Sequence, residues 1–180
     1  MSASTSYCAF LRGINVGKIN LKMDAVKKVF SDLGLQNVQS VLATGNILFE
    51  STSDRHDLKE IIEKALSLTF GYEAFIFLRT ADEVRLILEN CPFETSSEEH
   101  VYIFIGDESL AEILKSRFYD VEKMLGEEAA IVDAVFYWKI QKGNTLDSKF
   151  GKVIGQKSLK SQLTSRNKNT FDKIVQKLYL

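Results

Sequence analysis

Three short segments of the chain combine glycine, asparagine and basic side chains, which bind anions through backbone amides and through guanidinium or ammonium groups. They are residues 12–18 (RGINVGK), 44–46 (TGN) and 164–167 (TSRN). The candidate ligand-binding residues in these segments and just after them are Arg12, Gly13, Asn15, Gly17, Lys18, Asn46, Arg166, Asn167 and Thr170. No nucleophile, general base or metal-ligand cluster accompanies them in the sequence, so the residues do not identify a reaction or a metal site.

The first segment is similar to a phosphate-binding loop but lacks its full pattern. A P-loop reads G-x-x-x-x-G-K-[ST], whereas here the spacing from Gly13 to Gly17 is one residue shorter and Ile19 follows Lys18. This disfavours a nucleotide-hydrolysing loop and leaves an anion-accepting loop before a helix. The alternative is that the two glycines only shape a turn and Asn20 caps the next helix.

Each of the other candidates also has a purely structural interpretation. Arg12 could form an internal ion pair with the acidic middle of the chain, and Asn46 could support a hairpin through its own amide. Asn167 or Asn169 could cap the last helix, with Thr170 in the first turn. Capping explains the asparagines but does not explain Arg166.

The composition indicates an ordinary soluble globule that has no membrane partner. Of the 180 residues, 45% are hydrophobic and 26% are charged, and no apolar stretch approaches the roughly 18 residues of a membrane span. The start of the chain lacks the regions of a signal peptide, so we expect a cytoplasmic protein. Cys8 and Cys91 are expected to be thiols rather than a disulfide, and no cofactor motif is present.

Charge is unevenly distributed although the net charge is only −1. Residues 80–138 carry a net charge of −10 and residues 139–180 a net charge of +8. The basic segment could attract a phosphate or a nucleic-acid backbone. The alternative is that the acidic and basic segments face each other inside one fold and offset each other.

The first half of the chain follows the element order of a ferredoxin-like unit. Strands are predicted over residues 7–11, 39–43, 47–50 and 73–78. Helices are predicted from Met23 to a stop at Gly34, and after the capping pair Ser53-Asp54. The hairpin at 44–46 is attributed to positive φ angles at Gly45 and Asn46. The order β-α-β-β-α-β predicts an antiparallel sheet with two helices on one face.

The second half partly repeats this order. Thr80 and Glu83 form a capping box, and strands are predicted over residues 101–105, 130–132 and 135–140, with helices over 110–118 and 171–178. Gly151 and Gly155 predict that no helix forms between residues 148 and 163. Several strands are apolar on both faces, so we expect an α+β protein of two packed ferredoxin-like halves, residues 1–79 and 80–180, with a C-terminal helix.

Residues 11–17 (LRGINVG), 44–49 (TGNILF) and 164–167 (TSRN), followed by Thr170, together resemble the signature segments of the bacterial family catalogued as domain of unknown function 1697. The resemblance covers nearly the whole chain and implies a fold of paired ferredoxin-like halves without an assigned biochemical role. Duplication is inferred from the order of the predicted elements alone. Lys18 stands where the family has a second glycine, and Lys168 stands where it has an aromatic residue. These departures weaken any site that needs a glycine-only loop or aromatic stacking.

Three functions from different classes fit these residues. The first is a binding protein, in which an anion-accepting cleft between the halves holds a phosphate-bearing small molecule or, with less support, a nucleic-acid backbone. The second is a transferase-type enzyme that uses Arg12 and Arg166 as clamps in the same cleft. The third is a protein–protein interaction module or homodimer, in which the polar motifs only fix turns and caps. The oligomeric state is not indicated by the sequence.

Overall fold

The computed structural model describes residues 3–14, 20–159 and 161–179. The elements follow in the order β1 (Thr5–Arg12), α1 (Met23–Asp32), β2 (Gln36–Val41), β3 (Asn46–Ser51), α2 (Arg55–Phe70), β4 (Phe75–Thr80), α3 (Ala81–Glu89), β5 (Glu99–Gly106), α4 (Leu110–Tyr119), β6 (Glu128–Val132), β7 (Val135–Gln141), α5 (Lys149–Ile154), a 3-10 turn (Lys157–Leu159), β8 (Leu163–Asn167) and α6 (Lys168–Leu178). Packing divides the chain into a first unit, Met1–Arg85 with Lys173–Leu180, and a second unit, Leu86–Asp172. The sequence prediction had divided the chain between residues 79 and 80.

The first unit is built on a four-stranded antiparallel sheet in the order β2-β3-β1-β4. Strand β1 is central, hydrogen-bonded to β3 on one side and to β4 on the other. Tyr7, Ala9 and Leu11 on one face of β1 belong to the core formed with α1 and α2. Cys8 and Phe10 on the opposite face are also buried, at 0% exposure. Both faces of the strand that ends at Arg12 are therefore excluded from water.

The C-terminal residues Lys173–Leu180 complete the first unit. Lys177 Nζ donates to the carbonyl oxygen of Ser40 at 3.3 Å, on the outer strand β2. The Tyr179 hydroxyl donates to Asp82 Oδ1 at 3.0 Å. These contacts give the end of the chain a defined place in this unit.

The second unit repeats the same arrangement, with the strand order β6-β7-β5-β8. Its core is rich in aromatic rings, and Phe150 packs edge-on against Trp138 at 5.2 Å between ring centroids. The matching order of strands and helices confirms the predicted pair of ferredoxin-like halves in an α+β fold. It also supports duplication, because both sheets arise from the same β-α-β-β-α-β sequence of elements.

The prediction of no helix between residues 148 and 163 is wrong. Helix α5 occupies Lys149–Ile154, and Ser148 caps it by accepting a hydrogen bond from Gly151 N at 3.1 Å. The Ser148 hydroxyl also donates to buried Glu127 at 2.8 Å, which fixes the cap. A Cβ at Gly151 would overlap the carbonyl of Thr145, so this glycine permits a close backbone contact rather than breaking a helix.

Strand β8 was not predicted from the sequence. Its residues Leu163–Asn167 are mostly polar and lack a clear alternating pattern, although they pair with β5 over five residues. Here the neighbouring strand, rather than local propensity, determines the structure.

Of the predicted caps and turns, the Thr80–Glu83 capping box is confirmed and the Asn20 cap is wrong. The capping box is confirmed, since Thr80 N donates to Glu83 Oε2 at 2.7 Å and Glu83 N donates to Thr80 Oγ1 at 3.2 Å. Asn20 does not cap α1, because Lys22 occupies the N-cap position without a side-chain bond. In the β2–β3 hairpin the positive φ angles are at Leu42 and Gly45, whereas Asn46 is the first residue of β3.

Gly45 is expected to be intolerant of a side chain. Its φ is +77°, and a Cβ would overlap both Ile14 and Leu11. Gly34 has a similar φ of +81° but open space around it. Gly34→Ala should therefore lower the free energy of unfolding only by the cost of a positive φ, about 1–2 kcal/mol. Gly45→Ala should cost a further ~1–3 kcal/mol from overpacking. Urea unfolding of the two variants measures the difference, and equal losses would contradict this packing.

Candidate functional site

The strongest candidate site is one end of the first sheet, where β1 ends at Arg12 while β3 and β4 begin. We call it the Arg12 end. Antiparallel pairing places Phe10 opposite Asn46 and Arg12 opposite Phe75. Directly opposed residues share a face of the sheet, and so do residues two apart on one strand. Arg12 therefore lies on the same face as Phe10 and Asn46, and Arg12 and Asn46 are diagonal neighbours. The structure therefore brings two residues predicted from distant motifs together.

The guanidinium of Arg12 is half-buried, and no ion-pair partner for it lies among the described residues. Burial lowers the pKa of Arg12 from its usual value. Within residues 3–14, 20–159 and 161–179, no carboxylate forms an ion pair with it and no group hydrogen-bonds to its side chain. The internal ion pair considered as an alternative is thus absent from this part of the chain. A partly desolvated cation without a counter-ion carries an uncompensated free-energy cost.

The other arginines are satisfied or fully solvated. Arg55 pairs with Glu83 at 2.7 Å and Arg85 with Asp82 at 3.4 Å. Arg79 donates to the carbonyl of the preceding residue at 2.9 Å. Arg117 is exposed on α4. Arg12 stands apart from them as a half-buried arginine that has no partner among the described residues.

Asn46 supports the hairpin at this end of the sheet. It is fully buried, and its Nδ2 donates to the carbonyl of Val41 and to Thr44 Oγ1, both at 2.9 Å. The neighbouring Gly45 carbonyl accepts from Leu11 N at 2.8 Å, which ties the hairpin to β1. The scaffolding role considered for Asn46 is therefore present, and a ligand-binding role for this residue stays a prediction.

The connection that follows Arg12 differs between the two repeats. Gly13 turns the chain with a φ of +73°, while the predicted ligand residues Asn15, Gly17 and Lys18 lie outside the described residues. Residues 13–22 connect β1 to α1, whereas residues 107–109 suffice to connect β5 to α4. The first strand and the first helix are therefore farther apart along the chain in the first repeat than in the second.

The remaining predicted residues belong to the second unit, around the start of α6. Arg166 is buried, and its Nη1 donates to Thr164 Oγ1 and to the Ser165 carbonyl, both at 2.8 Å. Asn167 Oδ1 accepts from Asn169 N at 3.1 Å, so Asn167 is the cap. Thr170 lies in the first turn of α6. Arg166 and Asn167 thus have hydrogen-bond partners within their own unit.

His100 is a member of this second group that the sequence did not indicate. Its position beside Glu98 and Glu99 suggested an exposed side chain, but it is half-buried on β5, and its Nδ1 lies 2.8 Å from Asn167 Nδ2. Because Asn167 Oδ1 caps α6, the amide nitrogen must donate to His100, which holds the imidazole in the neutral form with its proton on Nε2. Burial and the charge of Lys142 lower the pKa of His100.

Acidic and basic residues of the second unit partly offset each other. Lys139 pairs with Glu128 at 2.6 Å and with Glu99 at 3.8 Å, and Lys149 pairs with Glu122 at 2.7 Å. The basic segment at 139–180 therefore does not present all of its charge to a partner.

Metal ligation and disulfide bonding are both absent from the described part of the chain. No group of three His, Cys, Asp or Glu side chains there is placed to hold a metal ion. Cys8 and Cys91 do not form a disulfide, as predicted. Of the helices described, none has both the length and the apolar character needed to cross a membrane.

The fold and these motifs define a family of duplicated ferredoxin-like proteins, and sequence comparison places the chain in it. Residues 4–137 match the family described as "Protein of unknown function (DUF1697)", and the chain belongs to that family. No curated protein sequence matches the chain.

One solved structure supports the fold. The chain is similar to the conserved bacterial protein SP0830 from Streptococcus pneumoniae, with 24% identity and a TM-score of 0.80, covering 99% of this chain and 100% of the other. An unknown protein from Galdieria sulphuraria aligns with 13% identity and a TM-score of 0.28, covering 98% of this chain and 91% of the other.

The His100–Asn167 contact predicts a pH-dependent stability. Because the folded-state pKa of His100 is below 6.5, the unfolded chain takes up a proton first as the pH falls. The stability that neutral His100 contributes is therefore present above pH 6.5, and it is lost as the pH falls from there through the lower folded-state pKa. His100→Gln should reduce the loss of unfolding free energy between about pH 7.5 and about pH 5.5, which urea unfolding measures. His56→Gln, at an exposed position, is the control, and an unchanged slope in His100→Gln would contradict the assignment.

Proposed function

We propose that this protein binds an anionic, phosphate-bearing small molecule at the Arg12 end of the first sheet. The observation that carries the proposal is the half-buried guanidinium of Arg12, which lacks a partner among the described residues. Its desolvation raises the free energy of the ligand-free state, and a bound anion offsets that cost by forming an ion pair in a partly dry environment. The same anion contributes little at an exposed arginine, where water screens it.

The chemistry of the side chain favours an oxyanion. A guanidinium donates two parallel hydrogen bonds to two oxygens of a phosphate or carboxylate, which a lysine ammonium does not do. The strand end places this group beside Asn46 and just before Gly13, where the chain turns. The predicted residues Asn15, Gly17 and Lys18 would add backbone amides and a second cation, which favours phosphate over a single carboxylate.

A nucleic-acid backbone is less well supported as the ligand. Binding to a polyanion normally uses an array of cations that track successive phosphates. Among the described residues the Arg12 end offers one guanidinium, and lysines of the basic segment such as Lys139 and Lys149 pair with carboxylates of their own unit. A discrete small molecule fits this distribution of charge better.

Arg12→Gln tests the proposed function. At ten times its Kd a phosphate ligand should stabilise the wild-type protein by about 1.4 kcal/mol, which raises Tm by roughly 3–6 °C. Arg12→Gln should abolish the rise because the ion pair is lost. Arg12→Lys should restore only part of it, since the charge is kept without the fork. Differential scanning calorimetry with a panel of phosphate compounds measures these shifts.

Arg117→Gln is the matched control, because it makes the same chemical change at an exposed arginine on α4. It should keep the full shift. If every compound in the panel leaves the wild-type Tm unchanged, or if Arg12→Gln responds as the wild type does, the proposal is wrong.

A further inference from the structure

Strand β6, at one edge of the sheet in the second unit, has backbone groups that point away from the sheet. It pairs with β7 on one side only. Val132 and Val135 flank a two-residue turn whose residues both have positive φ, so they form the hydrogen-bonded pair that closes the hairpin. Because bonding alternates along an antiparallel pair, the N–H and C=O groups of Ala129 and Ile131 point outward.

The pairing on the other side of β7 gives the same alternation. Lys142 N donates to the Glu98 carbonyl at 2.9 Å where β7 and β5 meet. Every second residue back along β7 therefore bonds to β5, and Trp138 is one of them. Tyr137 bonds to β6 instead, which leaves Ala129, opposite Trp138, without a backbone bond to β7.

The other three edge strands differ from β6, because on each of them side chains engage the backbone. These hydrogen bonds run from Ile76 N to Glu63 Oε1 at 2.8 Å and from Thr80 N to Glu83 Oε2 at 2.7 Å on β4, from Lys177 Nζ to the Ser40 carbonyl at 3.3 Å on β2, and from Arg166 Nη1 to the Ser165 carbonyl at 2.8 Å on β8. Within residues 3–14, 20–159 and 161–179, no side chain bonds in this way to the backbone of residues 128–132. Strand β6 is therefore the unprotected edge of the described sheets.

The side chains of β6 suit the approach of another strand. Residues 129–132 are Ala-Ala-Ile-Val, all partly exposed, with no charge, proline or glycine. The charge of Glu128 is offset by Lys139 at 2.6 Å. Strand β6 also pairs with β7 without a register shift. Charges, proline and bulges are the usual means of keeping another strand away from an edge, and residues 129–132 have none of them.

The start of β6 is held in place by the buried side chain of Glu127. Its Oε2 accepts from Met124 N at 2.8 Å, and its Oε1 accepts from Trp138 Nε1 at 3.0 Å and from Ser148 Oγ at 2.8 Å. The carboxylate is thus directed into the unit and away from the edge. A strand fixed in this way loses little further conformational freedom when it pairs with another chain.

We propose that β6 pairs with β6 of a second copy of this chain, antiparallel about a two-fold axis at Ala130. In this register Ala129 lies opposite Ile131 of the second copy, so every outward N–H and C=O group of both residues gains a partner. Ala130 lies opposite its own equivalent, where the small methyl groups permit the Cα separation of about 4.5 Å of a non-hydrogen-bonded pair. This homodimer goes beyond the proposed ligand binding at the Arg12 end and does not depend on it.

The self-complementary register is the reason that the occupant is a second copy. One contact used twice satisfies both edges, as in the isologous interfaces of two-fold dimers. Glu128 lies opposite Val132, so the strands place no like charges directly opposite each other. Beyond the strands Glu127 lies opposite Asp133, but Glu127 is directed inward and Asp133 Oδ2 accepts from Asn90 Nδ2 at 2.7 Å.

Ala130→Lys and Ala130→Glu test the register. Each variant alone places two like charges opposite each other at the axis, which should weaken self-association about fivefold or more. An equimolar mixture of the two should associate again, because lysine then lies opposite glutamate. Gln39→Lys, at an exposed position on the edge strand β2, is the matched control and should associate as the wild type does.

Ala129→Pro tests the edge hydrogen bonds without adding charge. Proline removes the outward N–H of residue 129 and leaves the bonds between β6 and β7 in place. This variant should therefore keep the circular dichroism spectrum of the wild type and lose self-association. It decides the question by itself if the Ala130 variants fail to fold.

Sedimentation velocity of the full chain, from about 1 to about 500 µM, measures self-association. A wild-type dimer that is lost in Ala129→Pro and in each Ala130 variant, and is recovered in their mixture, supports the proposal. A wild type that stays monomeric over this range overturns it and leaves β6 open to a strand of another protein. A dimer that persists in Ala129→Pro also overturns it, because the contact then lies elsewhere.

Discussion

Arg12 is a half-buried guanidinium at the end of a buried strand, and the residues that the structure describes give it no ion-pair partner. Strand β1 is hydrogen-bonded on both sides, and residues on both of its faces are excluded from water, so its last residue cannot move into solvent without disrupting the sheet. The pairing of Leu11 N with the Gly45 carbonyl holds the strand end against the hairpin. Arg12 is consequently held where it is partly desolvated and where the described residues give it no counter-ion.

The two repeats share their scaffold but not this feature. Cys8 pairs with Arg79 in one sheet, and Ile103 pairs with Arg166 at the matching place in the other. Counting along the strands from these pairs, Arg12 corresponds to Asp107, which follows β5 in a short connection. The fold is therefore satisfied without an arginine at this position. The role proposed for Arg12 therefore rests on ligand binding and not on a requirement of the fold.

Periodicity and caps were sufficient to predict the first half of the fold, because its strands and helices have clear apolar patterns and strong stop signals. The second half was harder for two physical reasons. Strand β8 is polar and depends on β5 for its structure, and Gly151 indicated a break although it lies inside α5 to avoid the Thr145 carbonyl. The candidate residues Arg12 and Asn46 were recognisable from their motifs.

The most direct test of this account is a proton–nitrogen correlation spectrum of the arginine side chains during titration with inorganic phosphate. If Arg12 holds the ligand, its Nε–H resonance should shift and its exchange with water should slow, while that of exposed Arg117 stays in place. A saturating titration that leaves Arg12 unchanged, or that moves Arg117 and Arg12 alike, would contradict the central claim.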